Sequence, residues 1–161
     1  MYLICVLAML GGLVAAMMSF VGTQRTATLG PSASVLAQDF SIYRTAVIRY
    51  VQTAQDAGFS GSVPNASLAA VGVYAPGQYA PNPLWRNYVQ GSSVVVYAAS
   101  MPSVNFVGAL EQVALNSVFA GTAYDNTIVS SSNVTAASGI HLPAGVNVPN
   151  GVPVWEALDV F

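Results

Sequence analysis

The sequence predicts an α+β fold: an N-terminal transmembrane helix, a long amphipathic helix, then a small domain of short antiparallel strands with one further helix. Three observations predict it. The first 24 residues carry no charge before Arg25. The stretch from Pro31 to Gly58 contains no interior proline or glycine and repeats its apolar residues at helical spacing. Beyond Gly58 the texture changes to turn residues, a β-branched run and a second helical pattern, which points to α+β rather than alternating β-α units.

The opening stretch is the strongest single feature. Tyr2 to Gly22 is 21 uncharged residues, about 31 Å as a helix at roughly 1.5 Å per residue. A bilayer's hydrocarbon core is about 30 Å thick. A secretory signal would show a positive start, a shorter apolar centre and a small-residue cleavage site, and none of these is evident. The expected organisation is therefore an anchor over residues 1–24 and an extracytoplasmic domain over residues 25–161. Within the anchor, Ala8, Gly12, Ala16 and, one position out of register, Ser19 form a small-residue stripe. Small residues four apart let two membrane helices approach closely, so this stripe is the expected packing face for a helical partner.

In the second element Leu36, Phe40, Tyr43, Val47 and Tyr50 recur at steps of four and three and define its packing face. Ser32 or Ser34 is the expected N-cap and Gly58 the expected stop. Arg44 and Arg49 are expected in solvent, or, in so uncharged a chain, in a specific ion pair. From Gly58 to Gly91, "GFSGSVPNASL" and "YAPGQYAPNPLWRNYVQG" read as loops with short strands or turns. Their aromatics Tyr79, Trp85 and Tyr88 are either the cover of a small core or a contact surface. "SSVVVYAA" from Ser92 has the β-branched density of a buried strand.

A second amphipathic helix is expected from Val104, Val107, Leu110, Val113, Ala114 and Val118, with Glu111 and Gln112 outward and Gly121 as its stop. "YDNTIVSSSNVTAASG" suggests one short strand and a polar loop. In the tail, Pro143 and Gly145, then Pro149 and Gly151, suit positions two and four of type I turns.

Composition excludes several function classes. Charged residues are 6% of the chain, where about 25% is usual. Four cations and a net charge of −2 leave no basic surface for a phosphate backbone, so no nucleic-acid partner is expected. With one cysteine and one histidine, a transition-metal site of the usual type has no ligand set. His141 sits alone in an apolar stretch, the carboxylates are scattered singly, and no G-x-S-x-G elbow or phosphate-binding glycine loop occurs. No catalytic residue, metal or cofactor is expected, and the chain reads as a non-enzyme.

The start "MYLICVLAMLGGLV", "IYRTAVIRYV" followed by "GFSGSVP", the strand "VVVYAAS" and the closing "LPAGVNVPNGVPV" together resemble the PilM family of type IVb conjugative thin-pilus operons. That resemblance implies an inner-membrane protein that supports pilus assembly through contacts with other pilus or secretion-machine subunits, with no catalytic residues to carry over. The alternative is a minor pilin or other fibre subunit, with a secreted hydrolase behind it. The chain departs from true type IV pilins in lacking a glycine cleavage site followed by an aromatic residue and a glutamate five residues on. A homo-oligomer and the lipid bilayer complete the expected partners.

Overall fold

A computed structural model of the chain describes residues 32–54, 59–71, 80–132 and 139–160. The chain divides at the Gly30–Pro31 join, and every described residue belongs to the second unit. The expected anchor, with Ala8, Gly12, Ala16 and Ser19, lies outside the described residues. Among those described, no helix is long and apolar enough to cross a membrane.

Helix α1 runs over Ala33–Ala54. Of the two cap candidates, Ser32 serves: its Oγ accepts from the Val35 N–H at 3.4 Å and its carbonyl from the Leu36 N–H at 3.1 Å. Ser34 stands inside the first turn, its hydroxyl 2.9 Å from that of Ser32. The helix buries Leu36, Ala37, Phe40, Tyr43, Ala46, Val47 and Val51, each large side chain contributing roughly 1.5–3 kcal/mol of transfer free energy. Its expected stop, Gly58, lies outside the described residues.

The described residues form a sheet of seven antiparallel strands in the order β1-β2-β3-β7-β4-β5-β6. These are β1 Ser60–Gly61, β2 Trp85–Gln90, β3 Ser93–Ala98, β4 Ala120–Tyr124, β5 Thr127–Val129, β6 Ile140–His141 and β7 Pro153–Ala157. Directly opposed residues share a face. Trp85 opposes Ala98, Asn87 opposes Val96, and Val96 opposes Trp155. This row faces α1. The alternate residues Val95, Ala123, Ile128 and Val154 form the second face, yet each is fully buried. The stretch from Leu142 to Val152 covers it: Leu142, Val146, Val148 and Val152 are buried, and Gly145 lies so close that an added Cβ would meet the Tyr88 hydroxyl at 2.7 Å. Burial on both faces explains the unbroken run Val94-Val95-Val96, since a strand covered on both sides need not alternate.

Several expectations are corrected. The helix after Met101-Pro102, α3, spans only Val107–Val113. Leu115 and Asn116 take φ of 55° and 57°, which ends the helical path before Val118. Gly121 is then no helix stop but part of β4, and a Cβ there would clash with the Val129 carbonyl oxygen. Glu111 faces inward, at 8% exposure. The single strand expected after Gly121 is a hairpin, β4–β5, turned by Asp125 and Asn126 at φ 48° and 58°, the conformation of a type I′ turn. A short helix α2, Asn65–Leu68, continues as a 3₁₀ turn over Ala69–Val71, so α3 is not the only further helix. In the first tail turn the Val146 N–H donates to the Pro143 carbonyl at 3.4 Å, and Gly145 has φ 94°. Proline thus holds the first position and glycine the third, as in a type II turn.

Candidate functional site

Where α1 crosses β2, the core is aromatic and then polar. Phe40, Trp85 and Phe106 meet edge to face, with ring centroids 4.9, 5.8 and 5.6 Å apart. The Trp85 indole N–H donates to the Asp39 carboxylate at 2.7 Å, which ties β2 to α1. One turn along, Asn87 (3% exposed) acts as an inserted peptide unit. Its Oδ1 accepts from the Val63 N–H at 2.7 Å, and its Nδ2 donates to the Val63 carbonyl at 2.9 Å and to the Tyr43 hydroxyl at 2.7 Å. Tyr43 in turn donates to Asn65 Oδ1 at 3.0 Å. Burial pushes the Tyr43 phenol up from its ordinary value, opposed by the Asn87 bond and the nearby Arg86 charge. This network clamps the segment 63–65 across α1 and β2.

Arg44 is half-buried rather than solvated. Its guanidinium lies 4.3 Å over the Trp155 ring, its Nε is buried without a partner, and loss of solvent pulls its pKa down to about 10. Cation–π attraction replaces part of the lost hydration. Arg49 is exposed. On the second face, Glu156 accepts from the Ser93 hydroxyl at 2.7 Å through one oxygen, while the other is buried with no partner. Glu111 receives the Ser131 N–H at 2.8 Å and the Ser131 hydroxyl at 2.5 Å. It therefore latches the end of β5 to α3.

The packing-face residues Leu36, Phe40, Tyr43 and Val47 are buried in this core, and Tyr50 is half-buried. Of the aromatic trio, Tyr79 lies outside the described residues. Trp85 is fully enclosed, because it starts a strand whose inner face meets α1, so it presents no contact surface. Tyr88 points to the second face, its hydroxyl 3.4 Å from that of Ser60. The structure brings Tyr43 and Trp85 to one crossing, and it separates Trp85 from Tyr88 across the sheet.

Among the described residues the exposed large apolar side chains are Val35, Ile42, Met101, Leu115, Tyr124 and Leu158. Val35 and Ile42, seven apart on the outer side of α1, are 56% and 42% exposed, and Leu115 is 89% exposed. Among the described residues no three His, Cys, Asp or Glu side chains gather as metal ligands. His141 is exposed on the edge strand β6, opposite Thr127. The roles of Asn87, Arg44 and Glu111 were missed because each depends on a non-local partner; the one local hint was scarcity, since a polar residue inside an apolar strand needs a buried partner.

Among curated proteins none matches the chain. Among solved structures, the fold is similar to the crystal structure of a PilM protein from Escherichia coli B7A. The TM-score is 0.51 at 20% identity, over 82% of this chain and 99% of that one. At that identity the likeness speaks for the fold. The PilM family model matches residues 6–156, from within the apolar opening stretch to strand β7, and a match over nearly the whole chain means that this protein belongs to the PilM family.

Proposed function

We propose that this chain is a membrane-anchored, non-catalytic accessory subunit of a type IVb pilus or related secretion machine, acting through protein–protein contacts in pilus assembly. The observation that carries the reading is membership of the PilM family across residues 6–156. The uncharged run from Tyr2 to Gly22 supports anchoring, because its length suits a bilayer. In this reading Ala8, Gly12, Ala16 and Ser19 face a helical partner in the inner membrane, and the domain from Arg25 onward is extracytoplasmic.

The test is fractionation of producing cells into membrane, sheared-surface and soluble pools. Full-length protein confined to the inner membrane is the expected result. Recovery in sheared fibres would instead make it a fibre subunit and overturn the accessory role. Gly12→Leu is expected to insert normally while reducing crosslinks to membrane partners, and an unchanged crosslinking pattern would count against the stripe.

A further inference from the structure

We infer that the cleft beside the Tyr43–Asn87 network is a carboxylate-binding site, with Arg86, Asn65 and Ser62 as its donors. The cleft holds about 250 Å³ and is framed by the segment 62–65 and the start of β2. Its floor is rigid, since Asn87 and Tyr43 join both walls through the hydrogen bonds given above.

Arg86 is the distinctive member. It is exposed, yet its guanidinium is held: Nη1 donates to the Pro83 carbonyl at 2.7 Å and to the Trp85 carbonyl at 2.9 Å. Fixing an arginine in this way removes much of the rotamer entropy that a flexible surface cation loses on binding. With Nη1 engaged, the edge formed by Nε and Nη2 is the free one. That edge presents two parallel N–H groups, which match the two oxygens of a carboxylate.

Among the described residues no carboxylate pairs with the Arg86 guanidinium, whose bonds go to the two backbone carbonyls. The other two donors are neutral. Asn65 accepts the Tyr43 proton through Oδ1, and in this assignment its Nδ2 is the group that donates to the ligand; Ser62 is an exposed residue of the cleft lining. The Arg86 charge also reaches the Tyr43 hydroxyl, where it favours the ionised phenol. One cation among neutral donors suits a singly charged anion better than a phosphate dianion. A cleft of about 250 Å³ admits a carboxylate-bearing side chain or a chain terminus, and the assignment of the ligand as a carboxylate carried on a peptide rests on the reading that the chain acts through protein contacts.

The inference is independent of where the protein resides and is tested on the full chain in detergent micelles. With ¹⁵N-arginine label, the Arg86 Nε–H signal is followed during addition of Ac-Ala-Glu-Ala-NH₂, Ac-Ala-Ala-Ala-OH, Ac-Ala-Gln-Ala-NH₂ or inorganic phosphate. A saturable shift with either acidic peptide, and at least tenfold weaker response to the glutamine peptide, is expected. Which acidic peptide binds more tightly identifies the source as a side chain or a terminus. Arg86→Gln is expected to weaken binding at least tenfold. Ser62→Asp places a carboxylate in reach without touching the network, so it should move the Arg86 signal with no peptide present and block the peptide. Phosphate binding as tightly as the acids, an equal response to the glutamine peptide, or an unmoved Arg86 signal would each overturn the assignment.

Discussion

Asn87 and Glu156 illustrate what single side chains decide in a chain with so few polar groups inside. Asn87→Ala leaves the buried Val63 N–H and carbonyl without the partners they have in the protein. An unsatisfied buried group costs about 1–3 kcal/mol, so a loss of roughly 3 kcal/mol of unfolding free energy is expected, read as a lower urea midpoint at unchanged slope. Glu156 is a different case, because burial pushes its carboxyl above the ordinary value of 4.5, only partly offset by the Ser93 hydroxyl bond. An acid raised in the fold stabilises the protein below its unfolded pKa, and that contribution is lost as pH rises through the folded value. Glu156→Gln keeps the neutral form at every pH. Its melting temperature is therefore expected to equal the parent's near pH 4 and to exceed it at pH 7; equal values at both would show the carboxylate to be solvated.

Among the elements, those written in local spacing were legible and those set by distant contacts were not. The period of Leu36, Phe40, Tyr43 and Val47 carried α1 in full, and the β-branched run carried β3. The cleft-lining β2 was legible only as a stretch of loops with short strands or turns, because Trp85-Arg86-Asn87-Tyr88 alternates by environment rather than by residue type, with Asn87 inward and Tyr88 on the second face. The end of α3 was equally hidden, since Leu115 adopts a left-handed φ of 55° that glycine takes far more readily. Hydrogen bonds hold it there: the Asn116 N–H donates to the Glu111 carbonyl at 2.7 Å, and the Ser132 hydroxyl to the Asn116 carbonyl at 2.9 Å. The Leu115 side chain is 89% exposed, so Leu115→Gly removes strain and little packing. A gain of about 0.5–1 kcal/mol is expected. A destabilised variant would mean that the leucine packs against something.

At the scale of the whole molecule, the seventh strand in chain order occupies the middle of the sheet. β7 pairs with β3 through Val96↔Trp155 and with β4 through Ala120↔Trp155, and all five of its residues are buried. Residues 85–98 and 120–129 therefore form two hairpins that share no ladder with each other. Each gains only a two-residue third strand, β1 or β6, and a hairpin so little extended is marginal alone in water. β7 joins them, and Arg44 over Trp155 and Gln52 donating to the Val160 carbonyl at 3.0 Å bring α1 onto the joined sheet. The long separation between β3 and β7 adds non-local pairing that slows folding relative to a helical bundle. A chain ending at Gly151 is expected to lose its cooperative urea transition altogether, whereas one lacking only the side chain of Trp155 (Trp155→Ala) should keep a cooperative transition at lower denaturant. If the shortened chain still unfolded cooperatively, the two hairpins would have to pair directly, and the central place of β7 would not be what unifies the domain.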